Sequence, residues 1–467
     1  MKSPQSIVSD PDGSLLPEWH RNAVIYEVNL RHYTPEGTFK AFEPHIPRLK
    51  EIGVNILWFM PIHPLSLKNR KGELGSPYAV ADYLSVNPDF GSIADFSHMV
   101  DAVHDAGMYV IIDWVANHTG WDHSWITQHP EWYTKDQKGN ITEPINAETG
   151  EPWGWTDVAD LDYGNREMKR AMINALAFWV REGRVDGFRM DVAHGVPADF
   201  WKECAASLYA IRPLFLLAEA ETPAIVNNGA FVMDYGWKMF ELLNRIAGSR
   251  MGGEEKGKKL VKGNIVKAGP EVSGEFTALD IDRQLEKQGQ AYQRGYKMYF
   301  TSNHDENAWS GTEFERFGAG HKAFAVLTAT FDGMPLLYSG QESAVNRQFA
   351  FFSKDEIDWG DYQYAGFYKN LFRLKHRNRA LWNGKYGGQL RKISTGRDEA
   401  VYAFIREKEG DKAVVLINLT SEKQPIVLKG DKFAGSYTNV FDQNATRLTA
   451  NMKMQLNPWE YLVLSNK

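Results

Sequence analysis

Eight short apolar runs rich in strand-forming residues recur along most of the chain, and most of them precede a stretch with helical periodicity. Strands that alternate with helices pair in parallel, and eight such units predict a closed (β/α)8 barrel. The predicted strands are Val24–Tyr33, Ile56–Pro61, Tyr109–His118, Val185–His194, Leu214–Ala220, Phe231–Trp237, Met298–Asp305 and Pro335–Glu342. Helices are predicted at Ser92–Ala106, Arg166–Glu182 and Ala198–Tyr209.

One interval is too long for this alternation. The segment from His118 to Val185 is about twice the length of a usual crossover between strands, even without its predicted helix. We therefore expect a small subdomain, residues 118–162, inserted after strand three. Insertions at that point lie at the face of a barrel where active sites form.

The pattern of apolar residues changes after about Tyr386, where helical periodicity stops. Short alternating or apolar runs separated by turn residues predict a C-terminal β-sandwich domain over residues 386–467. The runs are Val401–Arg406, Ala413–Leu419, Gln424–Leu428 and Tyr461–Leu464. The barrel is then predicted to comprise residues 1–117 and 163–385, with a solvated loop at Glu254–Lys259 (EEKGKK).

Composition excludes several classes of protein. A net charge of −6, from 53 basic and 59 acidic residues, argues against nucleic acid as the main partner, because phosphate binding needs a concentrated basic face. The single cysteine, Cys204, excludes an intramolecular disulfide and is expected to be a buried structural thiol. The sequence contains no run of 18 apolar residues, so no membrane-spanning helix is predicted. The amino terminus lacks an apolar signal core, so we expect either a cytoplasmic protein or one from which a signal was removed. Oligomeric state stays open.

Polar and ionisable residues follow the predicted strands at their carboxyl ends. They are Asp113, Asn117 and His118 on strand three, Arg189, Asp191 and His194 on strand four, Glu219 on strand five, and Asn303, His304 and Asp305 on strand seven. The carboxyl ends of barrel strands meet at one mouth. Burying so many charges is costly unless they are paired or functional, so this mouth is the predicted active site.

Two of these carboxyl groups suit the chemistry of glycoside cleavage. The two-residue period of a strand puts Arg189 and Asp191 on one face, and an adjacent Arg is expected to hold Asp191 ionised as a nucleophile. Glu219 follows the apolar run Leu214–Ala218, which is expected to raise its carboxyl pKa, as a general acid requires. Two carboxyl groups about 5 Å apart define a retaining mechanism.

Each residue also has a purely structural interpretation. Arg189 and Asp191 are compatible with a structural ion pair, and Glu219 with a helix cap. His118 and His304 are compatible with buried core histidines, and Asp305 with a turn residue. A purely structural site requires all of these interpretations to hold at once. Such a coincidence is improbable, which favours the functional interpretation.

Four segments resemble, in order and spacing, the signature regions of glycoside hydrolase family 13, the α-amylase family. They are DWVANH from Asp113, GFRMDVAH from Gly187, AEA from Ala218 and FTSNHD from Phe300. The resemblance covers roughly Val24–Glu342 and extends to Gly75–Tyr83 and Ala159–Tyr163. It implies retaining hydrolysis of α-1,4-glucosidic bonds in starch, glycogen or maltooligosaccharides. The alternatives are a cyclodextrin- or oligosaccharide-acting hydrolase, a transglycosylase, or a non-catalytic glycan-binding member.

The resemblance also implies the roles of the site residues. Asp191 matches the nucleophile, Glu219 the acid/base and Asp305 a third carboxylate that grips sugar hydroxyls. The implied substrate-binding residues are Arg189, which orients the nucleophile, His118 and His304, which bond the sugar, Tyr78, an aromatic platform, and His194 on the reducing side. His194 and Gly195 stand where typical members have Lys-His, which puts the reducing-side contacts in doubt.

A structural Ca²⁺ between barrel and insertion is a further implication of the resemblance. Asn117 and Asp160 match its side-chain ligands, and Gly195 is expected to supply a backbone carbonyl. All three offer hard oxygen donors, which calcium prefers. The alternative is that Asn117 is a turn residue and Asp160 a cap.

Overall fold

The computed structural model describes residues 7–9, 15–146, 149–250 and 276–467, so the predicted loop at Glu254–Lys259 lies outside the described residues. The strands are β1 (Ile7–Ser9), β2 (Leu15–Pro17), β3 (Ile25–Val28), β4 (Ile56–Phe59), β5 (Tyr109–Val115), β6 (His118–Gly120), β7 (Val158–Asp160), β8 (Gly187–Asp191), β9 (Phe215–Ala218), β10 (Met233–Tyr235), β11 (Tyr296–Tyr299), β12 (Met334–Tyr338), β13 (Arg391–Lys392), β14 (Val401–Lys408), β15 (Asp411–Asn418), β16 (Gln424–Val427), β17 (Gly435–Asn439), β18 (Ala445–Leu448), β19 (Lys453–Leu456) and β20 (Tyr461–Ser465).

The α-helices are α1 (Leu30–Tyr33), α2 (Phe39–Phe42), α3 (Ile46–Ile52), α4 (Ile93–Asp105), α5 (Ser124–Gln128), α6 (Arg166–Arg181), α7 (Ala198–Tyr209), α8 (Pro223–Asn227), α9 (Trp237–Arg250), α10 (Ala278–Ala291), α11 (Glu313–Phe317), α12 (His321–Thr330) and α13 (Ala365–Arg377). The three helices predicted from the sequence are confirmed as α4, α6 and α7. Ser92 caps α4 through a reciprocal hydrogen-bond pair with Asp95, which explains why that helix begins there. Within the described ranges, no helix is long and apolar enough to cross a membrane.

Eight parallel strands form a closed barrel in the order β10–β11–β12–β3–β4–β5–β8–β9, which confirms the predicted fold class. The strands are shorter than predicted, because the residues at their predicted carboxyl ends belong to the following loops or to separate elements, such as helix α1 and strand β6. Strand β5 ends at Val115, before Asn117 and His118. A Cβ on Gly187 would lie 1.8 Å from the backbone oxygen of Phe215, so only glycine allows β8 to approach β9 at this point.

The chain folds into two compact units. The first comprises Met1–His20, Ile25–Tyr235 and Ala350–Asp358. The second comprises Arg21–Val24, Gly236–Phe349 and Trp359–Lys467. Six of the eight barrel strands, β3 to β10 in barrel order, therefore lie in the first unit, together with the loops that follow them.

The insertion after the third barrel strand lies in the first unit. Strands β6 and β7 pair antiparallel, with His118 opposite Asp160, and helix α5 lies between them in sequence. Trp132 and Tyr133 are buried there and give the segment a small apolar core. A subdomain at this place was predicted, and its proposed bounds, 118–162, stay a prediction.

The C-terminal region belongs to the second unit and is built from antiparallel sheets. A six-stranded sheet has the order β13–β14–β15–β20–β17–β18, and β16 pairs with β19. Apolar side chains of both sheets share one core, including Val414, Leu416, Ile426 and Leu456. The all-β prediction is confirmed. Strands β17, β18 and β19 were not predicted, because their exposed faces carry polar residues that mask the alternation.

Candidate active site

The guanidinium of Arg189 is the centre of a buried ionic cluster in the first unit. Its Nη1 donates hydrogen bonds to Asp113 Oδ1 at 2.8 Å and to Asp191 Oδ1 at 2.7 Å. Its Nη2 lies 2.7 Å from Glu219 Oε1, an ion pair without the alignment of a hydrogen bond. The side chain of Arg189 is 0% exposed and that of Glu219 14% exposed. All three carboxyl groups thus contact the same guanidinium.

Strand register produces this convergence. Asp113 on β5 pairs with Arg189 on β8, and Val115 pairs with Asp191. Met190 on β8 pairs with Ala218 on β9, so Glu219 is the first residue beyond β9, next to the end of β8. Because side chains two residues apart share a face of a strand, Arg189 and Asp191 point the same way, as the sequence predicted.

Asp113 braces the cluster instead of facing solvent. Besides Arg189, its carboxylate accepts hydrogen bonds from Trp58 Nε1 at 3.2 Å and from the Tyr78 hydroxyl at 3.1 Å, both to Oδ2. Arg189 Nε donates to the Tyr235 hydroxyl at 3.1 Å. The rings of Trp58, Tyr78 and Tyr235 lie 5.1 to 5.8 Å from the guanidinium carbon, within cation–π range.

Trp58 and Tyr235 are not among the predicted site residues, because neither belongs to the four motifs. The signal that could have found them is their position. Trp58 lies one residue from the end of β4, and Tyr235 is the last residue of β10.

One cation faces three carboxyl groups, and the pKa values reflect this imbalance. Burial, and then the neighbouring Glu219 carboxylate, raise the pKa of Asp191 well above its usual range, although Arg189 acts in the opposite direction. Burial alone would lower the pKa of Arg189, but the carboxylates of Asp113 and Glu219 raise it well above its usual range, so the guanidinium stays charged. The expectation that the adjacent Arg189 holds Asp191 ionised is therefore wrong, because burial and the Glu219 carboxylate outweigh the effect of Arg189 on the pKa of Asp191.

The environment of Glu219 also differs from the expectation. Its Oε2 accepts a hydrogen bond from the backbone N–H of Val192 at 2.8 Å, and its Oε1 contacts Arg189. The prediction that Glu219 lies in an apolar environment is wrong, because both of its carboxyl oxygens contact polar groups, although the apolar residues before it are buried. Val192 itself has φ 42° and ψ 43°, a left-handed conformation that is costly for a β-branched residue. Such strain is typical of functional sites.

His118 and Tyr78 adjoin the cluster. His118 is buried, and burial lowers its pKa to about 4, so the ring is neutral at pH 7. Its ring hydrogen-bonds to the backbone carbonyl of Tyr78, and its Nδ1 lies 3.3 Å from Asn117 Nδ2. The Tyr78 ring stacks on Phe351, with centroids 6.2 Å apart. The predicted sugar-binding roles of both residues stay predictions.

The remaining predicted substrate-binding residues follow other strands or belong to a short helix. His304 and Asp305 follow β11 in the second unit, where His304 Nε2 lies 3.3 Å from Asp305 Oδ2. The side chain of Asp305 is 35% exposed, which leaves it open to a ligand. A π-helix, Glu306–Ser310, begins directly after it, a rare element that recurs at functional sites. His194 lies exposed in the first unit, on the short 3-10 helix Ala193–Gly195.

The three predicted calcium ligands lie near one another in the first unit. A Cβ on Gly195 would lie 2.5 Å from Asn117 Oδ1, and Leu161, next to Asp160, donates its N–H to the Asn117 carbonyl at 3.3 Å. Burial raises the pKa of Asp160 to about 6, and no cationic side chain of the described ranges pairs with it. No described group of three or more His, Cys, Asp or Glu is arranged to hold a metal. The donor chemistry fits calcium, but the set falls short of the six to eight oxygens that calcium takes.

Comparison with known proteins points to one family. Residues 8–207 match the family model of the alpha-amylase catalytic domain. Together with the relatives below, this match supports a member of the α-amylase family. The ordered motifs at Asp113, Gly187, Ala218 and Phe300 agree with this membership.

Individual relatives share the fold and part of the sequence. The alpha-amylase MalA of Haloarcula japonica is 26% identical over 420 residues, which cover 88% of this chain and 57% of the relative. Neopullulanase 2 of Thermoactinomyces vulgaris is 24% identical, over 96% of this chain and 78% of the relative. The crystal structure of the maltogenic alpha-amylase AmyB from Thermotoga neapolitana superimposes with a TM-score of 0.79 at 27% identity, over 95% of this chain and 98% of that one.

Proposed function

We propose that this α-amylase family member is a retaining α-glycoside hydrolase that cleaves α-1,4-glucosidic bonds of starch, glycogen or maltooligosaccharides. The observation that carries the proposal is the buried guanidinium of Arg189, which contacts Asp191 through Nη1 and Glu219 through Nη2. Adjacent nitrogens of one guanidinium hold the two carboxyl groups side by side, and a retaining glycosidase needs a closely spaced pair.

In the proposed reaction, Asp191 attacks the anomeric carbon while Glu219 protonates the departing glycosidic oxygen. A covalent glycosyl-enzyme ester forms on Asp191, and the leaving saccharide departs. Glu219 then takes a proton from water, which attacks the same carbon and releases the sugar with its original anomeric configuration. The fixed charge of Arg189 keeps Asp191 aimed and stabilises its anionic form when the ester breaks.

The electrostatics of the pair bear on this division of work. Burial and repulsion by the neighbouring Glu219 carboxylate favour the protonated form of Asp191. The reaction needs the proton on Glu219 and Asp191 ionised, and the positive charge that develops on the sugar would favour this arrangement, because it stabilises the Asp191 carboxylate.

Around the pair, we assign the remaining contacts by the family motifs that these residues match. Asp305 grips sugar hydroxyls, His118 and His304 hydrogen-bond the sugar at the cleaved bond, and Tyr78 lies under its ring. His194 contacts the reducing-side portion. The neutral state of the buried His118 ring supports a hydrogen-bonding role over a charged one.

We also propose that Asn117, Asp160 and the Gly195 carbonyl hold a structural Ca²⁺, with water completing its coordination. The support is geometric: Gly195 lies against Asn117 Oδ1, and the Asn117 carbonyl accepts a hydrogen bond from Leu161, the residue after Asp160. Calcium would supply a positive charge beside the Asp160 carboxylate and tie the insertion to the end of β5.

The test is product analysis on soluble starch with calcium, for the wild type beside Asp191→Asn. We expect mixed maltooligosaccharides released with the α configuration by NMR, and none from the variant. Release of the β configuration would contradict retention. A wild type that leaves starch intact would contradict the choice of substrate.

The alternative within the family is an oligosaccharide- or cyclodextrin-acting hydrolase or a transglycosylase. It is supported by the similarity to neopullulanase 2, and the same carboxyl residues would serve it. The same product analysis separates these activities, because glucose alone indicates exo-cleavage and products longer than the substrate indicate transfer. A non-catalytic role has less support, since Asp191, Glu219 and Asp305 are all present.

A further inference from the structure

Two tryptophans of the insertion form a stacked pair beside the predicted sugar pocket. The indoles of Trp153 and Trp155 lie nearly parallel, with centroids 5.5 Å apart and planes 14° apart. The ring of Trp155 lies 5.8 Å from that of His118. Trp153 is 46% exposed, so one face of its indole is open to solvent. Trp155 therefore lies next to His118, and Trp153 presents an aromatic surface to solvent.

The backbone under this pair is fixed by long-range hydrogen bonds. Lys71 Nζ donates to the Gly154 carbonyl at 3.0 Å and forms an ion pair with Asp157 at 3.1 Å. The N–H of Trp153 donates to the Pro144 carbonyl at 3.1 Å. Gly154 has φ 78°, which glycine adopts freely, and this turn puts the flanking indoles on the same side.

A second anchor follows the pair in sequence. Trp121 Nε1 donates to the Thr156 carbonyl at 3.0 Å, and Val158 N–H donates to the Trp155 carbonyl at 3.1 Å. A surface aromatic held this way loses little conformational freedom when a ligand stacks on it, and such preorganisation favours binding. An exposed indole in a fixed position is available for such stacking, and it forgoes the stabilisation that burial of the ring would give.

We propose that Trp153 and Trp155 form a binding subsite for an additional glucosyl ring of an α-glucan chain. The occupant is inferred from the position of the pair, because Trp155 lies next to His118, a proposed sugar-binding residue. The apolar C–H faces of a glucose ring also match an indole face. This subsite rests on the proposed function for its substrate class and adds a contact beyond the cleaved bond. It makes the enzyme favour longer chains.

The experiment compares maltoheptaose with maltotriose for the wild type and Trp153→Ala. We expect kcat/KM on maltoheptaose to fall about 5- to 10-fold, mainly through KM, with a distinctly smaller fall on maltotriose. Trp153→Phe should restore most of the loss, because it keeps an aromatic face. The matched control is Ile145→Ala, which removes a 41% exposed apolar side chain from the same segment and should match the wild type on both substrates.

Equal losses on both substrates, or no loss on either, would overturn the subsite. A direct binding measurement separates this failure from a failure of the proposed function. In the Asp191→Asn background, Trp153→Ala should weaken maltoheptaose binding about 5- to 10-fold by calorimetry. If the wild type cleaves no α-glucan but this difference persists, the subsite stands and the proposed reaction does not. If the affinities are equal, or maltoheptaose does not bind, the subsite is wrong.

Discussion

Two groups of buried polar residues lie at the ends of neighbouring strands in the first unit, and they differ in one respect. The first group, Asp113 with the proposed catalytic residues Asp191 and Glu219, includes its own cation, Arg189. The group around Asn117 and Asp160 has no cationic side chain among the described residues. A charge supplied by the chain is always in place, whereas one supplied by a metal depends on the solution. The comparison predicts that the first group is independent of calcium and the second is not.

The largest effect should come from Glu219→Gln, which keeps the shape of the side chain but removes its proton transfer. We expect kcat/KM on starch, which reports formation of the ester, to fall about 10³- to 10⁴-fold. The loss in kcat/KM should be far smaller on α-maltosyl fluoride, because fluoride leaves without protonation. The control, Glu203→Gln, changes an exposed glutamate of α7 and should match the wild type. Equal losses on both substrates would contradict an acid role for Glu219.

Replacing the internal cation should cost stability as well as activity. Arg189→Met leaves three buried carboxyl groups without their partner, so we expect the free energy of unfolding in urea to fall by about 3–5 kcal/mol. The comparison variant is Arg184→Met. It removes an ion pair with Asp101 whose side chains are 44% and 53% exposed, and such pairs contribute about 1 kcal/mol or less. Similar losses in the two variants would contradict the central position of Arg189.

Calcium should stabilise the protein through the second group alone. At a concentration 100 times its Kd, a ligand that binds only the folded state stabilises it by about 2.7 kcal/mol, which raises Tm. Chelation should reverse the rise. Asp160→Asn should abolish it, while Arg189→Met should keep it. A calcium-dependent Tm in Asp160→Asn equal to that of the wild type would rule out Asp160 as a ligand.

The smallest effect is a pH dependence of stability in chelator. The pKa of Asp160 is raised to about 6 in the folded protein, so the folded state holds its proton after the unfolded chain, with a pKa of about 3.9, has released it. This contribution is present below about pH 4 and is lost as pH rises through about 6, by on the order of 2 kcal/mol. It is measured as the difference in unfolding free energy between the wild type and Asp160→Asn. Saturating calcium should remove the loss.

The sequence predicts the barrel and its ionic centre because both follow from short-range rules. Alternating strands and helices specify the topology, and the two-residue period of β8 puts Arg189 and Asp191 on one face. The sequence does not indicate that Arg189 also contacts Asp113 and Glu219, because that depends on register between strands distant in sequence. The pKa of Asp191 is therefore raised, whereas the sequence predicted that Arg189 would keep this carboxyl group ionised.

The aromatic surroundings of the site could be found only in part from the sequence. Trp58 and Tyr235 lie at or near the carboxyl ends of their strands, but no local pattern besides this position distinguishes them from core residues. The stacking of Trp153 on Trp155 depends on the turn at Gly154 and on hydrogen bonds from Lys71 and Trp121, both remote in sequence.

The central claim is that Asp191, held by Arg189, forms a covalent bond to the sugar. The most direct measurement is mass spectrometry of peptides after reaction with a 5-fluoro-α-glycosyl fluoride, which slows hydrolysis of the intermediate. We expect one added glycosyl group on the peptide that contains Asp191, and none in Asp191→Asn. A label on another carboxyl residue, or no label during turnover that inverts the anomeric centre, would contradict the account.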